Sequence, residues 1–256
     1  MTKPLANKIA LVTGGSRGIG RAIATALAAD GAMVAVHYGK SKSAAEEVAA
    51  RIKTAGGEAF IVAADLSDRG AAEALFQALD AELVQRTGKA KFDILINNAG
   101  IAPFASFAET TGAQLDELYA VNFRSLYTIT QAAVSRLNDG GRIVSTSSIL
   151  ARTPTPMIPA YSALKPAIDN LSKSLAVELG PRNITVNVVA PGNIDTEMNG
   201  FASSADQTAW VMSKQALKRV GKAEDVADVV AFLAGPRARW VTGQTIEVGG
   251  GSGLVF

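Results

Sequence analysis

The chain contains no cysteine, which excludes disulfides, thiolate metal sites and a cysteine nucleophile. It also lacks a charge bias. Against 25 basic residues stand 23 acidic ones, and no run of like charges occurs. A nucleic-acid surface normally shows a clustered basic face, so no nucleic-acid partner is expected, and no metal site. Long apolar runs are missing too. Ile9-Ala10-Leu11-Val12, close to the N-terminus, is too short for the core of a signal peptide, and no stretch approaches a membrane span. No membrane partner and a cytoplasmic location are the expectation. No linker rich in Pro, Ser or charge divides the 256 residues, and no internal repeat is visible. With 48% hydrophobic and 19% charged residues, the chain can bury a large core. One domain over residues 1–256 is expected.

What is present alternates. Short apolar, β-branched runs occur at Ile9–Val12, Ala32–Tyr38, Ala59–Ala63, Phe92–Ile96, Arg142–Ser145, Ile184–Val189 and Thr245–Val248. Most are continuously apolar, as strands buried on both faces are. Between them lie alanine-rich segments with charges at helical spacing, such as Ser43–Lys53 and Ala71–Val84, and glycine stops follow several: Gly31, Gly56-Gly57, Gly88 and Gly140-Gly141. The alternation predicts an α/β fold built on a doubly wound parallel sheet.

The first strand runs into Thr13-Gly14-Gly15-Ser16-Arg17-Gly18-Ile19-Gly20, and an alanine-rich helix, Arg21–Ala29, follows at once. Glycines at a strand-to-helix turn let the backbone approach a pyrophosphate, while the helix N-terminus offers free N–H groups and a positive dipole end. The spacing is G-x-x-x-G-x-G rather than the commoner G-x-G-x-x-G. About 20 residues further on, a carboxylate grips the ribose 2′-hydroxyl of NAD, whereas a basic residue accepts the 2′-phosphate of NADP. Strand two ends His37-Tyr38-Gly39-Lys40-Ser41-Lys42, with no carboxylate. Lys40, Lys42 and the Ser41 hydroxyl suit a phosphate, and Arg17 belongs to the same region. NADPH/NADP+ is the expected cofactor.

Further along, Tyr161-Ser162-Ala163-Leu164-Lys165 sets a weak acid and a fixed cation one helical turn apart. On a helix, positions i and i+4 share a face. A nearby positive charge is expected to lower the phenol pKa towards working pH, as suits a general acid. Chance supplies such a pair in roughly one sequence in five of this composition, so the pair gains weight only with its surroundings.

Those surroundings resemble the short-chain dehydrogenases/reductases from Lys8 to about Gly250. Asp65-Leu66 follows strand three, Asn97-Asn98-Ala99-Gly100 closes strand four, and Asn122 stands in Ala120-Val121-Asn122-Phe123. Ser148 precedes Tyr161 at the family interval, and Pro191-Gly192 is followed by Ile194 and Thr196. The resemblance implies a Rossmann-type sheet of about seven parallel strands in the order 3-2-1-4-5-6-7, helices on both faces, and a substrate segment at about 192–220. It implies Tyr161 as proton donor, Ser148 as hydrogen-bond partner of the substrate oxygen, Lys165 as holder of the nicotinamide ribose, and Asn122 as holder of a relay water. Cofactor contacts are implied at Gly14, Ser16, Arg17, Gly18, Ile19, Gly20, Tyr38, Lys40, Ser41, Asp65 and Leu66 (by the adenine), Asn98, Ala99, Gly100, Tyr161, Lys165, Pro191, Gly192, Ile194 and Thr196. Asn97 and Asn187 are expected to be structural.

Two departures stand out. Pro166 directly follows the lysine, so that either the helix starts late enough to accommodate it, which is the expectation, or a kink shifts Lys165. Val248-Gly249-Gly250-Gly251 lacks the acidic residue the family often has before the glycine pair. The implied substrate pocket combines Ile101, Pro103 and Phe104 with Ile149, Leu150, Arg152, Met157 and Ile158, and with Met198, Phe201, Trp210 and Met212. Its apolar balance suits a small-molecule ketone or aldehyde with hydrophobic substituents, with Arg152 available to an anionic group. The nearest family branch is the 3-oxoacyl-acyl-carrier-protein reductase type. Arg124, Arg136, Arg142, Lys173 and Arg182 are scattered candidates for docking an acidic carrier, and a stand-alone carbonyl reductase is preferred. A non-catalytic NADP-binding regulator is the third reading. A homotetramer packed through Asp116–Arg136 and Pro159–Leu179 is also implied, with Ala163, Ala167 and Ser174 permitting close approach.

Overall fold

A computed structural model describes residues 3–153, 155–199 and 204–254. Seven parallel strands form one sheet in the order β3-β2-β1-β4-β5-β6-β7. They are β1 Ile9–Val12, β2 Met33–Tyr38, β3 Glu58–Ala63, β4 Phe92–Asn97, β5 Leu137–Thr146, β6 Thr185–Pro191 and β7 Thr245–Val248. The chain order reverses between β1 and β4, and the crevice beyond the strand C-termini at such a switch point is where open α/β sheets bind ligands.

Side-chain alternation builds two cores. Ala10, Val12, Val34, Val36, Ile94 and Ile96 face helices α1 (Gly18–Ala29) and α2 (Lys42–Thr54) and the helix at Ala223–Ala234, meeting Ile23, Leu27, Val48, Ile52, Val226 and Val230. Their neighbours Leu11, Ala35, Leu95, Ile143 and Val186 face the other way. There they meet Leu75, Leu79 and Leu83 of α3 (Ala71–Thr87), Ile129 of α5 (Ser125–Val134), and Ala176 and Leu179 of α6 (Pro159–Leu179). Full burial on both faces accounts for the unbroken apolar runs.

Strand β5 is longer than its apolar run. It begins at Leu137, which pairs with Phe92, and the register shifts before Arg142 pairs with Ile94. Gly140 and Gly141 therefore lie inside the strand as an irregularity and do not precede it. The region Asp116–Arg136 is not one helix either. Helix α4 (Gly112–Tyr119), started by a capping box between Thr111 and Gln114, passes into a π-helical turn at Ala120–Arg124 before α5 begins. Such π-bulges often sit at functional sites, and Asn122 is at the centre of this one. Helix α6 starts at Pro159, seven residues before Pro166, which corrects the expected late start. Pro166 has no N–H for the Ser162 carbonyl, a cost of about 3 kcal/mol in a helix interior. A 21-residue helix that buries Ile168, Asp169, Ser172, Ala176 and Leu179 has the packing to absorb it. Among the described residues, no helix is long and apolar enough to cross a membrane, and no cluster of His, Asp and Glu suits a metal.

Candidate active site

A cleft of about 1000 Å³ opens at the C-terminal ends of the strands. Its floor is the turn from β1 into α1. Gly14 takes a left-handed φ of +63°, and a Cβ there would stand 2.9 Å from Ala99 Cα. At Gly20 a Cβ would lie 2.1 Å from the Gly14 carbonyl oxygen. The loop is braced from β4: Thr13 Oγ1 accepts from the N–H groups of Asn98 and Ala99 at 2.9 and 3.1 Å, and Asn98 Nδ2 donates to the carbonyls of Thr13 and Gly14. Arg17, the residue before α1, is extended and gives the helix no side-chain cap, and the first turn carries no acid. Unsatisfied N–H groups at a dipole's positive end make an anion site. The residues present fit a dinucleotide.

A contact not anticipated from the sequence fixes this loop to the next strand. His37, the only histidine, is 2% exposed. Its Nδ1 accepts from Gly14 N–H at 3.0 Å and its Nε2 lies 3.1 Å from the Ala64 carbonyl oxygen, so the neutral tautomer carrying its proton on Nε2 satisfies both. Burial pulls its pKa from 6.5 down to about 4. Folding therefore opposes protonation, and stability present above pH 6.5 drains away as pH falls towards 4. The shift corresponds to about 3 kcal/mol. His37→Asn, which keeps an acceptor near the Nδ1 position and does not titrate, is expected to flatten this part of the acid limb. Urea-unfolding midpoints of the two proteins across that pH range check it, and parallel curves would contradict it.

On the opposite wall, Ser148 begins a short 3₁₀ turn at Ile149–Ala151, and its Oγ accepts from Leu150 N–H at 3.2 Å. The Tyr161 hydroxyl faces the Ser148 side chain across the cleft wall. Lys165 is 4% exposed, donates from Nζ to the Thr146 carbonyl at 2.8 Å, and lies 5.1 Å from the centroid of the Tyr161 ring. The expected depression of the tyrosine pKa is not found. Burial pushes the phenol up to about 12, against a smaller lowering by Ser148. Burial likewise pulls Lys165 down to about 8, partly opposed by Asp169. The helical spacing puts the ammonium over the ring and not beside the hydroxyl, so desolvation wins. At neutral pH the phenol keeps its proton and Lys165 is mostly charged.

Nearly all the expected cofactor residues line the cleft: Gly14, Ser16, Arg17, Gly18, Ile19, Gly20, Lys40, Ser41, Asp65, Leu66, Asn98, Ala99, Gly100, Tyr161, Lys165, Pro191, Gly192, Ile194 and Thr196. Tyr38 does not. It packs against the α1/α2 core, because consecutive strand residues face opposite ways and His37 holds the cleft side. Asn122 lies behind the wall, 1% exposed. Its carboxamide accepts from Ile101 N–H and donates to the Ile101 carbonyl, both at 2.8 Å, shaping the loop after β4. Asn97 bonds Thr130 and Ser145, and Asn187 bonds Val241 and Gln244, both structural as expected.

The substrate half is lined by Ile101, Phe104, Ile149, Leu150, Met157, Ile158, Met198 and Trp210, joined by Val121, Thr153, Lys214 and Gly253, which sequence spacing did not single out. Pro103 and Met212 are outside it, and Phe201 lies outside the described residues. Arg152 is also outside, paired with Glu247 at 2.8 Å and Asp169 at 3.4 Å, so it is not a free anion-binding group. The other scattered arginines are committed as well: Arg136 to Asp80, Arg182 to Asp139, Arg142 to the Gly140 and Gly141 carbonyls, and Arg124 to the Ser67 carbonyl.

A parallel sheet in this order, a glycine cradle at its switch point and a Ser–Tyr–Lys wall facing it define a dinucleotide-dependent oxidoreductase. The family model described as enoyl-(acyl carrier protein) reductase matches residues 14–252, and the chain belongs to the short-chain dehydrogenase/reductase family. Versicolorin reductase 1 of Aspergillus parasiticus is 40% identical over 263 aligned residues, covering 97% of each chain. The crystal structure of the landomycin C-6 ketoreductase LanV with bound NADP and rabelomycin is 42% identical, covers 98% of both chains and superposes with a TM-score of 0.91. A short-chain dehydrogenase from Burkholderia cenocepacia, in complex with NADP, is 44% identical over 97% of this chain and 98% of that one, with a TM-score of 0.89.

Proposed function

We propose that the protein is an NADPH-dependent ketoreductase that reduces the carbonyl of an apolar, ring-bearing ketone, reversibly, to an alcohol. The observation that carries this is the Ser148–Tyr161–Lys165 group, its serine and lysine buried and its tyrosine half-buried, facing the glycine cradle across one cleft. The dihydronicotinamide supplies the hydride when bound. Tyr161 gives its proton to the substrate oxygen, and Ser148 hydrogen-bonds that oxygen as charge develops. The Lys165 ammonium, held by the Thr146 carbonyl, stabilises the tyrosinate left behind and orients the nicotinamide ribose. Asn122 acts through Ile101, holding the loop that closes the cleft, and the backbone around Ile194 with Thr196 positions the carboxamide.

Lys40, Ser41 and Arg17 on the adenosine side, with no competing acid at the end of β2, support NADPH over NADH. Phe104, Met157, Met198 and Trp210 support an apolar substrate, in keeping with the versicolorin and angucycline reductases among the relatives. A carrier-protein substrate gains no support from arginines already committed elsewhere. A cytoplasmic location and a homotetramer are part of the proposal, the homotetramer supported by exposed Val177 on α6 and by the exposed Tyr119 and Tyr127, whose rings lie tilted against Phe123. Incubation with NADPH or NADH and a panel of ring-bearing ketones tests the reading. NADPH-driven reduction is expected, with NADH markedly poorer. Cofactor binding without reduction of any ketone would favour the regulator instead.

A further inference from the structure

The segment after β6 crosses the cleft and touches the phosphate loop. Thr196 Cγ2 and Glu197 Oε2 lie 3.5 and 3.6 Å from the point where a Cβ on Gly18 would stand. The Glu197 carboxylate thus stands beside Gly18 at the start of α1, and Arg21 Nη2 closes on its other oxygen at 2.9 Å. Gly18 is the first residue of α1, the helix with no side-chain cap and no acid in its first turn. The carboxylate at this terminus therefore comes from outside the helix, and it stands where the loop is built to receive a phosphate. The backbone N–H of Glu197 itself, then Arg21 and Gly18, hold its pKa below the usual carboxylate range, so it is charged at neutral pH. The next residues, Met198 and Asn199, form part of the substrate wall.

We propose that Glu197 is a positioning residue that couples the two halves of the cleft. Before the cofactor binds, its carboxylate takes a phosphate's place at the start of α1 and draws the Met198–Asn199 wall across the opening. The pyrophosphate of the cofactor displaces it, and the wall is then free to receive substrate. This rests on the NADPH reading above. Because both partners are nearly half exposed, at 42% and 47%, the contact is worth little in salt and more in dilute buffer.

Titration calorimetry with NADP+ tests the idea without turnover. Glu197→Gln is expected to bind NADP+ roughly 3- to 20-fold more tightly than the wild type at low salt, with the ratio shrinking towards one as salt rises. Glu197→Asp, which keeps the charge, is expected to stay near the wild-type affinity. Equal or weaker binding by Glu197→Gln would overturn the proposal. So would Glu197→Asp tightening as much as Glu197→Gln, since bulk and not charge would then be the cause. A wild type that binds no NADP+ at all would instead sink the cofactor reading beneath it.

Discussion

Tyr161→Phe is expected to lower ketone reduction by roughly 10²- to 10⁴-fold, the scale of a lost general acid, while NADP+ affinity stays within about twofold. The ring remains under Lys165, so the cation–π contact is kept. Ser148 Oγ still accepts from Leu150 N–H, so the partner hydroxyl is not stranded. What disappears is the one proton placed against the substrate oxygen. Because burial holds the phenol near a pKa of about 12, the wild-type group is fully protonated across the working range and its loss is not masked by ionisation. Single-turnover rates with saturating NADPH, set beside NADP+ calorimetry, separate the two quantities. A variant retaining wild-type turnover would show that another group donates.

The second large effect lies at Gly20. An alanine Cβ there would stand 2.1 Å from the Gly14 carbonyl oxygen and 2.5 Å from Asn98 Nδ2, distances that van der Waals contact forbids. Both neighbours belong to the loop brace, so the turn itself must move. The N–H groups at the start of α1 then lose their aim. Gly20→Ala is expected to weaken NADP+ binding at least 100-fold, an estimate based on losing several phosphate hydrogen bonds together. It is also expected to lower the unfolding midpoint, as overpacking does by about 1–3 kcal/mol. Calorimetry and urea unfolding read the two effects. Unchanged affinity would mean that the loop does not hold the pyrophosphate.

Much of this was legible in residue order. Seven apolar runs mark the seven strands, with ends displaced by a residue or two, because strands buried on both faces leave a continuous signal. Strand β5 is the exception. Its first half, Leu137–Gly141, is polar and glycine-bearing, and it becomes strand only through pairing with Phe92 across a bulge. The glycine loop and the Tyr161–Lys165 spacing were readable because each is local. Tyr38 was misplaced because composition does not tell which of two adjacent strand residues faces the cleft. The direction of the Tyr161 shift was misread because spacing reports proximity along a helix face and says nothing of burial. His37 and Glu197 gave no local signal at all. Each acts through a contact with the Gly14–Gly20 loop made by the folded sheet, 23 residues away for His37 and Gly14. The helix around Pro166 shows the same limit from the other side: tertiary packing overrides a strong local breaker.

In the proposed reaction a hydride passes from NADPH to the substrate carbonyl while Tyr161 supplies the proton. The most direct measurement uses NADPH deuterated at its transferable hydride position, incubated with the protein and a ring-bearing ketone it turns over. One deuterium is expected on the carbinol carbon of the product for each NADPH oxidised, with at least about 100-fold less labelled alcohol formed by the Tyr161→Phe protein over the same interval. Oxidation of NADPH with no deuterium in the alcohol would contradict it.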